Sequence, residues 1–301
     1  MKNPMFDPEI YARSKLLIGL IGNGIRRSLA PVIQEGEAEH HGLHLHYQII
    51  DTAERTDPQV LPELLSAAKT MGFAGLNITF PFKQAVLPLL DEVSADARAM
   101  NAVNCVTIRN GRLTGHNTDG AGWAWGFQRM MPQADLSRVV VLGCGGAGSA
   151  VAHAALGLGV EHMVVVDGEE AKAGALCESL RSRFGASRVH TERDVAHAMH
   201  GASGLIHATP MGMLKQPGIA LNAELLQPSM WVSDLVYVPM QTELLQAAQA
   251  LGCATLDGGH MNVGQGFLNF KLFTGLEPDV ARMDAHFRHL AARPSPLTAS
   301  V

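Results

Sequence analysis

An α/β protein carrying two sheets is the fold class this sequence predicts, on three observations. Short apolar β-type runs alternate with helix-length amphipathic stretches along almost all of the 301 residues. Two of the runs, Val139–Leu142 and Met163–Val166, are apolar at every position. Such strands need cover on both faces, which points to a mostly parallel sheet flanked by helices. Glycine accounts for 31 residues while aromatic residues make up only 5%, a balance suited to many tight strand-to-helix turns. At about 100 to 200 residues per domain, the chain has room for two.

Taken in order, strands are expected at 16–21, 45–50, 75–79 and 103–108, with helices near 31–41, 58–70, 83–90 and 94–99. A second series of strands follows at 138–142, 163–167, 204–208, 231–234 and 254–256. Two sheets in one chain imply a cleft between them. From about 266 to 292 the pattern is helical, with Phe267, Phe270, Leu272 and Phe273 on one side and Gly275 as a stop. A last helix is expected over about 279–292, and residues 294–301 are expected to fray.

Composition narrows the partners. The 23 Lys+Arg against 28 Asp+Glu give a net charge of −5. The densest basic group, Arg181, Arg183 and Arg188, is too sparse to neutralise a phosphate backbone, so no nucleic acid is expected. No window approaches ~18 uninterrupted apolar residues, and the first ten positions carry Asp7 and Glu9 with no apolar run. Neither a membrane span nor a secretion signal is therefore expected, and the protein is placed in the cytoplasm. Cys105, Cys144, Cys177 and Cys253 are widely separated, which suits reduced, buried thiols better than disulfides or zinc. His40, His41, His44 and His46 invite a metal reading, but Gly42 interrupts the helical spacing; a solvated turn and no metal are expected.

The strongest local signal is the apolar strand Val139–Leu142 running into Gly143-Cys144-Gly145-Gly146-Ala147-Gly148 and then a helix of small residues. Gly143 allows the tight turn, Gly145 lets backbone approach a diphosphate, and Gly148 lets helix and strand pack closely. The helix N-terminus then meets the anion with free N–H groups and its dipole. Asp167 closes the next strand 24 positions after Gly143. A carboxylate there accepts hydrogen bonds from both ribose hydroxyls of NAD and repels the 2′-phosphate of NADP, and no Lys or Arg follows until Lys172. A Rossmann-type domain binding NAD is expected. A plain tight turn for the glycines, and a helix N-cap for Asp167, are the bland alternatives.

The N-terminal half places polar residues where strands end: Asn77-Ile-Thr79-Phe-Pro-Phe-Lys83, then Asn104, then Asn117-Thr118-Asp119-Gly120. Strand ends are where open α/β sheets hold ligands. Lys83 just inside a helix start opposes the helix dipole, which suggests a task. Lys83 and Asp119 could form the acid/base pair that hydride transfer from a secondary alcohol requires. A surface ion pair, or an N-cap role for Asp119, remains open from spacing alone. Trp123 and Trp125 read as packing residues, and Met211 and Met213 as either a cofactor-side loop or core filling.

Together these segments resemble the shikimate/quinate dehydrogenase family. The resemblance runs from Gly75–Lys83 through Ala102–Asn104, Asn117–Gly120, Gly143–Gly148, Ala208–Met213 and Asp234–Tyr237 to Asp257–Gln265, in family order. It implies an N-terminal substrate domain, a Rossmann cofactor domain and a C-terminal helical return, with boundaries at 1–118 plus 259–301 and at 119–258. It implies Lys83 and Asp119 as the catalytic pair, and Ser28, Thr79, Asn104, Tyr237 and Gln265 as substrate-binding residues. Cofactor-side positions are Gly143, Gly145, Gly146, Ala147, Gly148, Asp167, Thr209, Pro210, Met211, Gly212, Val236, Gly258 and Met261. Asp167-Gly168-Glu169 resembles the NAD-using branch. The implied reaction is oxidation of shikimate or quinate at the C3 hydroxyl by a monomer or homodimer. A related acid such as aminoshikimate, an unrelated small acid, and a non-catalytic NAD-binding regulator are the alternatives. One position departs: Ala30 stands where the family carries a second carboxylate-binding hydroxyl after Ser28. Losing a hydrogen bond to a charged group costs about 1.5–3 kcal/mol, and Arg26 or Arg27 could replace it through a charge-assisted contact.

Overall fold

The structure, a computed structural model, describes residues 15–53, 57 and 59–292. These fall into two compact units. The first takes the described residues through Ser94, with Val103–His116 and Gly266–Leu290; the second takes Ala95–Ala102 and Asn117–Gln265. The expected frayed end at 294–301 lies outside the described residues, as does position 58 at the start of the second expected helix.

In the first unit the strands are β1 (Lys15–Gly22), β2 (His44–Asp51), β3 (Gly75–Ile78), β4 (Glu92–Val93), β5 (Cys105–Arg109) and β6 (Arg112–His116). Their order is β2-β1-β3-β5-β6-β4. β1 runs parallel to β2 and β3, whereas β5 is antiparallel to both β3 and β6. This sheet is mixed rather than mostly parallel, and the reason is local. Asn110 and Gly111 both take positive φ, 51° and 73°, the mirror-image turn that closes a two-residue hairpin. The helix expected at 83–90 is instead the single turn Phe82–Ala85 followed by the 3₁₀ turn Leu87–Leu89, because Pro88 cannot donate inside an α-helix.

Helices Ala30–His40 and Val280–Ala291 are tied by a buried carboxylate in this unit. Glu37 accepts from Arg282 Nε and Nη2 at 2.8 and 2.7 Å and from the Asp279 amide at 2.8 Å. Burial pushes the Glu37 carboxyl up, but those donors outweigh it and hold it below the usual range. Arg109 donates to the Leu272 and Phe273 carbonyls at 3.1 and 2.6 Å, where a helix C-terminus favours a cation.

The second unit carries β7 (Arg138–Leu142), β8 (His162–Val166), β9 (Val189–Thr191), β10 (Gly204–His207), β11 (Trp231–Asp234) and β12 (Ala254–Leu256), ordered β12-β11-β10-β7-β8-β9. All its pairings are parallel. Numbered within the unit, the order reads 6-5-4-1-2-3, the doubly wound arrangement whose switch point lies between β7 and β10. Val139, Val140, Val141, Met163, Val165, Leu205 and Ile206 are fully buried, so both faces are covered as the apolar runs required. Trp123 is buried and donates to Ser233 Oγ at 3.0 Å, a packing role.

The units change over at different places from the 1–118, 119–258 and 259–301 expected. Ala95–Ala102 groups with the second unit, where Asn117 Nδ2 donates to the Ala102 carbonyl at 3.0 Å and Ser149 Oγ to the Met100 carbonyl at 3.0 Å. The return to the first unit falls at Gly266, inside the helix Gly258–Thr274. The first half of that helix packs on helix Asp119–Met130 with no room for a side chain: a Cβ on Gly122 would lie 2.4 Å from the Gln265 amide nitrogen.

Candidate active site

In the second unit, β7 runs into Gly143 and the helix Gly146–Gly157. Gly143 takes φ +99°, and a Cβ there would meet Ala208 backbone at 2.8 Å. A Cβ on Gly148 would lie 2.0 Å from the Gly143 carbonyl oxygen, whereas nothing stands within 4 Å of one on Gly145. Two glycines are therefore required by packing, and the third leaves an open approach to the amides of Gly145, Gly146 and Ala147. The first turn of the helix holds no acidic residue. A diphosphate fits these donors.

Asp167 follows β8 directly. Its Oδ2 accepts from the Cys144 amide at 2.7 Å and its Oδ1 from the Glu169 amide at 2.9 Å. It is not the N-cap of helix Glu170–Phe184; that position belongs to Glu169. The carboxylate braces the glycine turn and keeps lone pairs for further donors. The nearest cation in the sequence, Lys172, is held by Glu169 at 2.5 Å, and Arg193 is paired with Glu170.

At the end of β10 the chain turns through Thr209, Pro210, Met211 and Gly212, with Gly212 at φ +93°. A Cβ on Gly143 would also come within 3.0 Å of the Thr209 methyl, so this loop abuts the glycine turn. Val236 and Met261 are buried, and Gly258 allows contact: its Cβ would lie 2.4 Å from the Leu235 carbonyl oxygen. Burial raises the Tyr237 hydroxyl pKa, offset in part by a hydrogen bond with Asn262.

Asp119 opens the helix Asp119–Met130 and is 1% exposed. The N-cap position belongs to Thr118 and not to Asp119, and the Asn117 side chain accepts from the Asp119 amide at 3.0 Å. Gly120, Gly122 and Gly126 let this helix approach its neighbours: their Cβ atoms would lie 2.6 Å from the Ala150 carbonyl oxygen, 2.4 Å from Gln265 nitrogen and 2.7 Å from His260 Cβ. Gln265 is thereby set against the helix that carries Asp119.

In the first unit, Ser28 lies in the segment after β1, Thr79 and Lys83 follow β3, and Asn104 precedes β5 against the end of β3. The Lys83 carbonyl accepts from Val103 at 2.8 Å, and the Asn104 carbonyl accepts from Ile78 at 2.8 Å. Asn77 Nδ2 donates to that same carbonyl at 3.1 Å while Tyr47 donates to Asn77 Oδ1 at 2.9 Å. A Cβ on Gly22 would lie 2.3 Å from the Thr79 methyl, which explains a glycine at the end of β1. Lys83 is half-buried on a helix of four residues. One turn carries little dipole, so the expected conflict with a helix start does not arise.

The Ser28 segment is anchored by Asp51, which accepts from the amides of Gly24 and Ile25 at 2.9 and 3.1 Å. Arg26 lies 3.6 Å from the same carboxylate. Ser28 Oγ accepts from the Ala30 amide at 3.3 Å, which leaves its hydroxyl hydrogen to donate. Arg27 is exposed and makes no ion pair among the described residues.

Sequence patterns missed the roles of Asp51, His207 and Asp234, although each is a polar residue that closes a strand. That signal had already singled out the Asp that follows β8. Asn262 and Tyr47 carried no such mark. All four cysteines are free and buried; burial and the Asp167 carboxylate push the Cys144 thiol up to about 12. Among the described residues, no group of three or more His, Cys, Asp or Glu is placed to hold a metal. No helix among them is long and apolar enough to cross a membrane.

Comparison with known proteins shows the family and the fold. Residues 20–106 match the shikimate dehydrogenase substrate binding domain. A shikimate dehydrogenase (NADP(+)) from Streptomyces avermitilis is 49% identical over 278 residues, covering 91% of this chain and 96% of that one. A quinate/shikimate dehydrogenase (NAD(+)) from Corynebacterium efficiens is 48% identical over 279 residues, covering 91% and 98%. Among solved structures, a quinate dehydrogenase from Corynebacterium glutamicum in complex with NAD superposes with a TM-score of 0.86 at 44% identity, covering 92% of this chain and 100% of that one.

Proposed function

Because the chain belongs to the shikimate dehydrogenase family, we propose that it catalyses the reversible, NAD-dependent oxidation of shikimate, quinate or both at the C3 hydroxyl, giving the 3-dehydro acid. The observation that carries the choice of cofactor is Asp167. Its carboxylate stands at the end of β8, fixed by two amides; Lys172, the first cation after it in sequence, pairs with Glu169, and Arg193, just past β9, pairs with Glu170. A 2′-phosphate would meet a fixed negative charge with no unpaired cation at hand, whereas two ribose hydroxyls would find acceptors. Relatives carrying either cofactor in their names are similarly close, so the preference for NAD rests on this local chemistry.

When bound, NAD supplies the hydride acceptor at nicotinamide C4. Lys83 and Asp119 take the proton that leaves the C3 hydroxyl as hydride departs from the same carbon, and in reverse Lys83 returns it. Thr79, Asn104 and Gln265 hold the ring hydroxyls and the reacting oxygen. Ser28 donates to the acid group, with Tyr237 beside it, and Arg27 supplies the donor that Ala30 lacks, since Arg26 already faces Asp51. Gly145, Gly146 and Ala147 hold the diphosphate, while Thr209–Gly212, Val236, Gly258 and Met261 line the nicotinamide side.

The test is an absorbance assay of NADH formation with purified protein and shikimate, quinate or aminoshikimate. Turnover of shikimate or quinate is expected. Turnover of aminoshikimate alone would move the substrate to a related acid, and turnover of none would overturn the proposal.

A further inference from the structure

Behind the Thr209–Gly212 loop lies a buried polar chain that the reaction itself does not use. His207, 1% exposed, ends β10, and Asp234, fully buried, ends the adjacent β11. His207 Nδ1 lies 2.9 Å from Asp234 Oδ1, and Nε2 lies 2.5 Å from Thr209 Oγ1. Thr209 Oγ1 in turn accepts from the Met211 amide at 3.3 Å. Asp234 Oδ1 also accepts from the Val236 amide at 3.0 Å, and Oδ2 accepts from the Thr242 hydroxyl at 2.6 Å. Thr242 Oγ1 caps the helix Glu243–Leu251 by accepting from Leu245 at 3.3 Å.

One proton assignment gives every donor in this chain an acceptor. Asp234 accepts from Nδ1–H, the Nε2 lone pair accepts the Thr209 hydroxyl, and Thr209 oxygen accepts from Met211. The chain therefore has a direction. It runs from a buried carboxylate through the imidazole to the loop backbone, and the same carboxylate fixes Val236. Buried imidazoles need such partners in any protein. Here the bonds converge on two segments, 209–211 and 236, at the strand ends beside the glycine turn.

We propose that His207 and Asp234 are a positioning pair that fixes Thr209, the Met211 amide and Val236 in the arrangement that receives the nicotinamide end of the cofactor. This rests on reading the enzyme as a nicotinamide-dinucleotide dehydrogenase. Neither residue touches the reacting atoms; each acts through Thr209 or Val236.

The test is calorimetric titration of NADH into wild-type protein and His207→Asn, Thr209→Val, Thr209→Ser and the His207→Asn/Thr209→Val double variant. Asn keeps a donor for Asp234 but falls short of Thr209; Val keeps the shape of Thr209 and removes its hydroxyl. His207→Asn and Thr209→Val should each weaken NADH binding by about tenfold. The double variant should be no weaker than either single one, because both remove one bond. Thr209→Ser, which keeps the hydroxyl, should restore most of the affinity that Thr209→Val loses. Unchanged NADH affinity in folded His207→Asn or Thr209→Val, or losses that multiply in the double variant, would overturn the proposal. Should His207→Asn not fold, the contrast between Thr209→Val and Thr209→Ser decides it. Wild-type protein that binds no NADH would instead overturn the dehydrogenase reading on which it rests.

Discussion

Lys83 and Arg27 carry the two residue-level claims that kinetics can separate. Lys83→Ala should lower kcat by about 10²- to 10⁴-fold, the usual contribution of a general acid–base group, with NADH binding unchanged in a titration. Arg27→Ala should raise the KM for the acid by about tenfold, as expected for losing a charge-assisted hydrogen bond, and leave the KM for NAD alone. An unchanged acid KM would remove Arg27 from the site. Glu37 gives a stability test away from the chemistry. Its carboxyl is pushed up by burial but pulled further down by Arg282 and the Asp279 amide. The stability from that pairing is therefore complete above the unfolded pKa near ~4.3 and is lost as pH falls through the lower folded value. Glu37→Gln should cost about 2 kcal/mol at pH 7 in urea unfolding and should flatten the acid side of the stability profile. At this scale the sequence was legible where chemistry and backbone share a motif, as at Gly143–Gly148 with Asp167. It was less so at Lys83 and Asp119, where spacing alone left an ion pair open and the family resemblance supplied the roles. The Glu37–Arg282 pairing spans 245 positions, and no local pattern records it.

Glycine placement is the clearest element-scale device in the second unit. Helix Asp119–Met130 presents Gly120, Gly122 and Gly126 to its neighbours, and backbone atoms lie where the first two side chains would begin. Gly122→Ala should therefore destabilise by about 1–3 kcal/mol, an overpacking cost larger than the helix propensity gained. Gly174→Ala, in helix Glu170–Phe184 with nothing within 4 Å of a Cβ, should stabilise by about 0.5–1 kcal/mol. The pair is read by urea unfolding followed by circular dichroism. Long apolar strands such as β7 and β8 announce themselves by composition. β4 has two residues and β9 three, too few to show any period. The β5–β6 hairpin did carry a signal, Asn110-Gly111 between two strand-like runs, and that signal is what makes the first sheet mixed. The His207–Asp234 contact joins residues 27 apart through neighbouring strands, so it becomes visible only once the strand order is known.

For the whole molecule, the net charge of −5 works against both expected ligands, a dinucleotide and a carboxylic acid. Binding must then come from local features: the start of helix Gly146–Gly157, Lys83, Ser28 and Arg27. The same logic underlies the proposal that one negative charge, Asp167, sets the choice of cofactor, since relatives of nearly equal identity are named for different cofactors. The central claim is NAD-linked oxidation of shikimate or quinate. Its most direct test is the ratio of kcat/KM for NAD to that for NADP, measured with the better of the two acids in wild-type protein and in Asp167→Asn. A ratio of about 100 or more in wild type, falling at least tenfold in the variant, is the expected result, since placing a phosphate against a fixed carboxylate costs several kcal/mol. A wild-type preference for NADP, or a ratio unmoved by Asp167→Asn, would contradict it.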